Sequence, residues 1–355
     1  MSAVSSSVPD RTAAGGTPSP RAVIFGCSGT TLTGAEIALF RATNPFGFIL
    51  FKRNVETPEQ VLALTRALRR CVGRREAPIL IDQEGGRVAR LGPPHWPEFP
   101  SARRFGDAWV NDPDRAVEAI KANSNVLAAT LWPLGISVNC LPVADVPIPG
   151  SHDVIGDRAY STKPIAVAQL ALAAAEGLIE CGVLPVVKHI PGHGRARSDS
   201  HAELPVVDAT EEELEAHDFA PFRALRYMPI AMTAHVRYTA LDANRPATLS
   251  PIVIGEFIRD RIGFDGLLLS DDLGMAALSG PIADRAAASI AAGCDIAVHC
   301  NGTAEEMTSV ADAVPPMTIH ALRRWERAKA FVRGRSKGVV VEQATVWRDL
   351  MLAQA

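Results

Sequence analysis

Several short apolar runs in this sequence end in carboxylates, imidazoles, amides or cations. Ile81-Asp82-Gln83-Glu84-Gly85-Gly86-Arg87 follows this pattern, as do Lys188-His189-Ile190-Pro191-Gly192-His193-Gly194, Thr233-Ala234-His235 and Ser270-Asp271-Asp272. Asn139 with Asp145, and His299-Cys300-Asn301, stand at the ends of two more runs. Carboxylates and imidazoles exchange protons during reactions, and Lys and Arg hold polar ligands through charge-assisted hydrogen bonds. One Asp after a strand is more often the N-cap of the next helix than a catalyst. Several such ends together point elsewhere. An unpaired buried charge is costly, so ionisable groups that converge on one mouth meet a polar ligand or one another.

The elements that must position these groups are legible from periodicity. Apolar runs at 22–25, 47–51, 78–83, 136–146, 183–189, 230–235, 266–271 and 295–300 read as eight strands. Segments of helical period lie between and after them, near 33–43, 57–73, 114–134, 162–181, 210–226, 251–261, 281–293, 303–313 and 317–334, several opened by Thr, Ser or Asp. Strict alternation implies parallel strands. Leu267-Leu268-Leu269 has no period of two, as expected of a strand covered on both faces. An open doubly wound sheet would carry a glycine-rich phosphate fingerprint after its first strand, and Gly26-Cys27-Ser28-Gly29-Thr30 only weakly resembles one. The expectation is an α/β fold, a single TIM-type (β/α)8 barrel, whose reactive groups project from the C-terminal ends of the strands. We expect a flexible tail at 1–20, the barrel at 21–336, and a C-terminal extension at 337–355 that packs on the barrel or trails from it.

Composition narrows the partners. The 355 residues include 36 Lys+Arg and 39 Asp+Glu, a net charge of -3, so overall charge gives no reason to expect nucleic acid. With 47% hydrophobic and 21% charged residues, disordered and collagen-like classes are excluded. The longest apolar stretch, 166–187, is interrupted by Glu176, Glu180 and Gly182, so no membrane span is expected. Residues 1–20 have neither a basic segment nor an apolar core, and six cysteines suit a reducing compartment. These features suit a cytoplasmic protein without nucleic-acid or membrane partners; a monomer acting on a small molecule, with no metal or other cofactor, is the further expectation.

Six blocks in register resemble the glycoside hydrolase family 3 β-N-acetylglucosaminidases of the NagZ type, and the likeness spans most of the chain. They are Gly47-Phe48-Ile49-Leu50-Phe51-Lys52-Arg53-Asn54, Ile81 to Val88, and Gly156-Asp157-Arg158-Ala159-Tyr160-Ser161. Lys188 to Gly194 with Asp199-Ser200-His201, Met232-Thr233-Ala234-His235, and Ser270-Asp271-Asp272-Leu273-Gly274-Met275 complete the set. The resemblance implies a TIM-type barrel and removal of terminal N-acetylglucosamine with retention of configuration, in the cytoplasmic recycling of cell-wall muropeptides.

It also implies roles. Asp271 is the expected nucleophile, with Asp272 turned elsewhere because neighbouring side chains on an extended strand alternate faces. His201 is the expected acid/base, an imidazole in place of the usual second carboxylic acid. A histidine has an ordinary pKa of about 6.5 and can give and take a proton near neutrality. Asp199 would orient it, as the acid of a triad does. Asp82, Arg158, Lys188 and His189 would line the sugar subsite, although Lys188 could equally neutralise Asp271 or Glu84. Arg90, His235 and Met275 would be neighbours. Small residues across 192–201 suggest a mobile flap. Gly274 departs from the Ser of many relatives, and Arg195 and Arg197 could contact an anionic aglycone. Alternatives are a metal-dependent hydrolase using His189, His193, His201, His235 and Asp271, a phosphorylase on the same scaffold, and a sugar-binding protein without turnover.

Overall fold

The computed structural model describes residues 19–335 and 338–354. Most of the expected tail therefore lies outside the described residues. Eight strands close into one barrel: β1 (Arg21–Phe25), β2 (Pro45–Leu50), β3 (Ile79–Ile81), β4 (Val138–Asn139), β5 (Leu184–Ile190), β6 (Ile230–Thr233), β7 (Leu267–Asp272) and β8 (Ile296–His299). Every neighbouring pair is parallel, and β8 returns onto β1 through Val23 opposite Ala297 and Phe25 opposite His299. Each strand lies within or next to one of the eight apolar runs. β2 is buried at all six positions, as a strand sandwiched between the barrel interior and the outer helices must be.

Helix starts follow local chemistry. Thr33, Thr57, Asp112, Thr210, Thr303 and Thr318 each accept a backbone N–H three residues on, satisfying donors that the first turn leaves orphaned. The interior of the barrel is filled by Ile24, Ile49, Leu80, Val138, Val186, Leu269 and Val298. The helix Ile319–Val332 closes the N-terminal end, where Trp325 meets Phe46 edge-on at 5.0 Å between ring centres. The opposite end is left open.

Three features differ from the sequence expectation. The fourth strand is two residues long instead of spanning 136–146, because Pro142 has no N–H to continue the ladder. The chain nevertheless runs on beside β5, with Ala144 N–H donating to Lys188 O at 2.7 Å, and this brings Asp145 to the open end. A helix at Ala102–Asn111 escapes the periodicity reading. It packs so closely that a Cβ on Gly106 would stand 1.5 Å from the Tyr160 carbonyl oxygen. A second, two-stranded parallel sheet joins Val206–Val207 to Arg237–Tyr238 beside the barrel. The C-terminal helix Val341–Gln354 packs along Pro113–Leu131, where buried Arg348 donates to Asn123 Oδ1 at 3.2 Å.

Candidate active site

At the C-terminal ends of the strands lies a cavity of about 330 Å³. Its volume falls at the lower end of the roughly 300–1,000 Å³ usual for small-molecule sites. Asp82, Arg90, Arg158, Lys188, His189, His201 and Asp271 all line it, and Asp199 joins through His201. The Lys52-Arg53-Asn54 turn fastens the rim together. Arg53 donates to the Cys27 and Cys300 carbonyls at 2.9 and 2.7 Å and to Asn301 Oδ1 at 2.6 Å, while Asn54 donates to the Gly29 carbonyl at 2.9 Å. Gly26 permits this closure, because a Cβ there would stand 2.1 Å from Cys300 O.

Alternation past β3 separates two jobs. Asp82 and Glu84 face the cavity, while Gln83 between them is buried outside it and holds the following loop, accepting from Arg90 N at 2.8 Å and Leu91 N at 2.9 Å. Facing the cavity is a chain of charges. Arg90 bonds Asp82 at 3.1 Å, Lys188 Nζ reaches Asp82 at 2.9 Å and Glu84 at 2.7 Å, and Arg158 grips both Glu84 oxygens at 2.8 and 2.9 Å. The Lys188 and Glu84 side chains are only 2% and 4% exposed, so these bonds replace solvent. Burial pushes the Glu84 carboxyl up, but Arg158 and Lys188 outweigh it and hold the group down at about 2. Asp82 is likewise held well below the carboxylate range, burial being outweighed by Lys188 and Arg90. For Lys188, burial disfavours the ammonium, and Asp82 and Glu84 more than reverse this. The network stays fully ionised at neutral pH. Lys188 therefore neutralises Asp82 and Glu84 directly. Glu84, which the sequence reading left outside the site, is its pivot; its signal was a second acid two residues beyond Asp82 on the same strand face.

Consecutive residues Lys188 and His189 both line the cavity. The β5–β6 register shifts between Lys188 and Ile190, an irregularity of the kind that re-aims side chains. Asp145, fully buried, holds this corner. It accepts His189 Nδ1 at 2.7 Å, His189 N at 3.2 Å and His193 N at 2.6 Å, and it sits below its ordinary value because burial is outweighed by His189. The His189 ring is thus fixed by Nδ1, with its other face toward the cavity. His193 is buried beside it, and burial followed by the neighbouring His189 lowers it to about 4, so it is neutral.

Asp271 ends the apolar run of β7 on the cavity wall. Burial pushes its carboxyl up, and His189, His235 and the Asp272 N–H bring it below the ordinary value, which makes it an anion. Asp272 N donates to its Oδ1 at 2.8 Å, and among the described residues the carboxylate accepts no other hydrogen bond. Asp272 differs. Its Oδ1 takes the backbone N–H groups of Gly274 and Cys300, both at 3.0 Å, so it ties β7 to the end of β8. His235 does not line the cavity; it is buried between Thr248 Oγ1 at 2.7 Å and the Asp272 carbonyl at 3.0 Å. Met275 does line it.

The loop 192–201 lies over this wall. His201 Nδ1 and its backbone N both meet Asp199 Oδ1, at 2.8 and 2.9 Å, and the two side chains are 66% and 34% exposed. Its small residues serve packing as well as backbone freedom: a Cβ on Gly194 would stand 2.1 Å from Val146 O. Arg195 does not line the cavity. Its guanidinium is committed to buried Asp218 at 2.5 Å, which is the lower-energy place for it because that carboxylate would otherwise lack a cation. Arg197 is exposed and is not part of the cavity wall. Among the described residues no three His, Cys, Asp or Glu side chains are grouped to hold a metal ion. None of the helices among those residues is long and apolar enough to cross a membrane.

Comparison with known proteins agrees with this geometry. Residues 38–324 match the family described as Glycosyl hydrolase family 3 N terminal domain. A Beta-hexosaminidase of Alkalilimnicola ehrlichii is 37% identical over 340 residues, covering 88% of this chain and 96% of its own. One from Chromobacterium violaceum is 37% identical over 339 residues, covering 94% and 92%. NagZ from Neisseria gonorrhoeae, solved in complex with N-trifluoroacetyl-D-glucosamine, superposes with a TM-score of 0.84 at 33% identity, over 94% of this chain and 99% of NagZ. The chain belongs to glycoside hydrolase family 3, and it is a glycoside hydrolase built on a TIM-type barrel.

Proposed function

We propose that this enzyme is an exo-acting, retaining β-N-acetylglucosaminidase that removes terminal N-acetylglucosamine from muropeptides such as GlcNAc-anhydroMurNAc, in cytoplasmic peptidoglycan recycling. The carrying observation is that Asp271 and His201, from β7 and the loop after β5, line one cavity with the Asp82–Lys188–Glu84–Arg158 network. Asp82 and Arg158 would accept from and donate to the hydroxyls of the terminal sugar, with Arg90, Lys188 and His189 completing the subsite. An Asp271 oxygen attacks the anomeric carbon while protonated His201 gives its proton to the departing glycosidic oxygen. The C–O bond breaks, the aglycone leaves as an alcohol, and the sugar stays bound to Asp271. Water then attacks the same carbon, His201 takes its proton, and Asp271 leaves as a carboxylate. Asp199, accepting the Nδ1–H, keeps the proton of the neutral ring on Nδ1, leaves Nε2 as the position that gives and regains the catalytic proton, and stabilises the imidazolium.

The identity of the relatives supports the sugar: two are called Beta-hexosaminidase, and NagZ was solved with an N-acylated glucosamine. A monomer with 21–336 as the hydrolase barrel and 337–355 as an extension completes the proposal. The direct test is incubation with a slow N-acetylglucosaminide fluorinated at C5, which keeps the 2-acetamido group, followed by peptide mass mapping. An adduct on Asp271 is expected, and an adduct on Asp272, or none from a substrate that turns over, overturns the assignment. A second possibility, phosphorolysis, is favoured by one feature: a neutral imidazole does not repel an incoming phosphate dianion as a carboxylate would. Release of sugar phosphate instead of free sugar in phosphate buffer would decide for it.

A further inference from the structure

Between Asp199 and His201, whose side chains are exposed, Ser200 is 3% exposed and turned inward. Its hydroxyl meets His193 Nε2 at 3.2 Å, and its carbonyl accepts Ala277 N at 3.1 Å. These two contacts reach opposite sides of the mouth. His193 belongs to the end of β5 and is anchored through its own N–H to buried Asp145, the carboxylate that also orients His189. Ala277 follows β7, two residues beyond Met275 of the cavity wall and six beyond Asp271. His193 Nδ1 has no hydrogen-bond partner, so Ser200 is the sole side-chain tether of that buried ring among the described residues. Elsewhere the loop is held at its base by Arg195 on Asp218 and by His152 N on Ala196 O at 2.8 Å. Those ties lie before residue 197. Near the tip, among the described residues, only Ser200 joins the loop to the two walls by hydrogen bonds.

We propose that Ser200 and His193 are positioning residues that clasp the tip of this loop and set His201 over the cavity; the inference rests on the acid/base role proposed for His201. A buried hydroxyl on the residue preceding the imidazole constrains that residue's backbone, so the position of the ring follows from whether the clasp is made. Losing it leaves Asp271 and the strand-borne sugar subsite intact and lowers the fraction of time the proton donor is in place.

The test compares Ser200→Ala, Ser200→Thr and His201→Ala on two N-acetylglucosaminides, one with an alkyl aglycone that must be protonated to leave and one with a dinitrophenyl aglycone that need not be. For Ser200→Ala we expect kcat/KM to fall about tenfold on the alkyl glycoside and less than about twofold on the dinitrophenyl one, with Ser200→Thr recovering most of the loss. In hydrogen exchange, amides of 197–203 and Ala277 exchange faster in Ser200→Ala and remain protected in His201→Ala. Equal falls on both aglycones, no fall on either, or unchanged exchange in Ser200→Ala overturns the clasp. If His201→Ala shows no dependence on the leaving group, the acid/base role itself fails. The exchange result then still judges whether Ser200 holds the loop.

Discussion

The proposed sugar subsite and the loop above it hold their groups in opposite ways. Just past β3 and on β5, Asp82, Glu84 and Lys188 are held by ion pairs of 2.7–3.1 Å with one another and with Arg90 and Arg158, next to strands buried on both faces. On the loop, Asp199 and His201 are partly to mostly exposed and bond chiefly to each other. Groups that recognise a neutral sugar gain from being fixed in advance, because no charge has to be reorganised when the ligand arrives. A group that gives and regains a proton needs access to the bond being cut and to water afterwards. In the proposed mechanism, permanent charge sits at the ends of rigid strands, and the transferable proton sits on a loop. Asp271 shares the first setting: it is strand-borne, anionic, and lightly hydrogen-bonded on the cavity wall.

Substitutions can break this contrast, and the largest effect is expected at Asp271. Asp271→Ala should reduce kcat by on the order of 10⁴-fold with every aglycone, measured on N-acetylglucosaminides of differing leaving groups. Removal of His201 should act differently. His201→Ala lowers kcat/KM by about 10²–10³-fold on alkyl glycosides and far less on activated aryl ones, so a flat leaving-group profile would remove the proton-transfer role.

The buried network should respond in stability before chemistry. Glu84→Gln leaves Arg158 and Lys188 short of a carboxylate, which costs about 3 kcal/mol or more, read from denaturant melts. Its acid dependence follows from the sign of the shift. The Glu84 carboxyl is lowered from 4.5 to about 2 on folding, so its contribution is complete above the unfolded value and is lost as pH falls from about 4.5 toward 2. The wild type should lose stability through that window more steeply than Glu84→Gln; parallel curves would show that the pairs do not stabilise the fold. The smallest effect on chemistry is expected for Arg195→Ala. Because the guanidinium is bound to Asp218, the preference between charged and neutral aglycones should not move, while thermal stability falls. A changed aglycone ratio would mean that the arginine leaves Asp218 when substrate binds.

Much of the barrel was legible because its strands are apolar runs bounded by polar ends, and that contrast is local. Val183 to His189, for instance, needs no partner to be read as a buried strand followed by chemistry. The helix Ala102–Asn111 was not legible, since Gly106 lowers its helical propensity and is present only because Tyr160, far along the chain, leaves no room for a Cβ. The short β4 was misjudged because the apolar run is broken at Pro142, past which the chain pairs with β5 only through an isolated bridge at Val143. Arg195 was read by its charge and its neighbours in sequence, and its partner Asp218 lies on a different segment. Among the groups that line the cavity, Asp82, Arg90, Arg158, Lys188, His189, His201 and Asp271 were named through the family resemblance of the six blocks, whereas Glu84 was passed over because nothing local distinguishes a pivot from a spare carboxylate.

From its residues alone, this chain determines which groups end up at one rim, because alternation along strands and the parallel order of βα units are properties of short segments. Which carboxylate takes which cation was decided only when β3, β5 and the 156–158 turn met, since ion pairing depends on distances across 74 and 106 positions of sequence. The same holds for the split between Asp271 and Asp272. Two identical side chains in adjacent positions, both lining the cavity, acquire different environments because the backbone N–H groups of Gly274 and Cys300 converge on Asp272, whereas the Asp271 carboxylate accepts only the Asp272 N–H among the described residues.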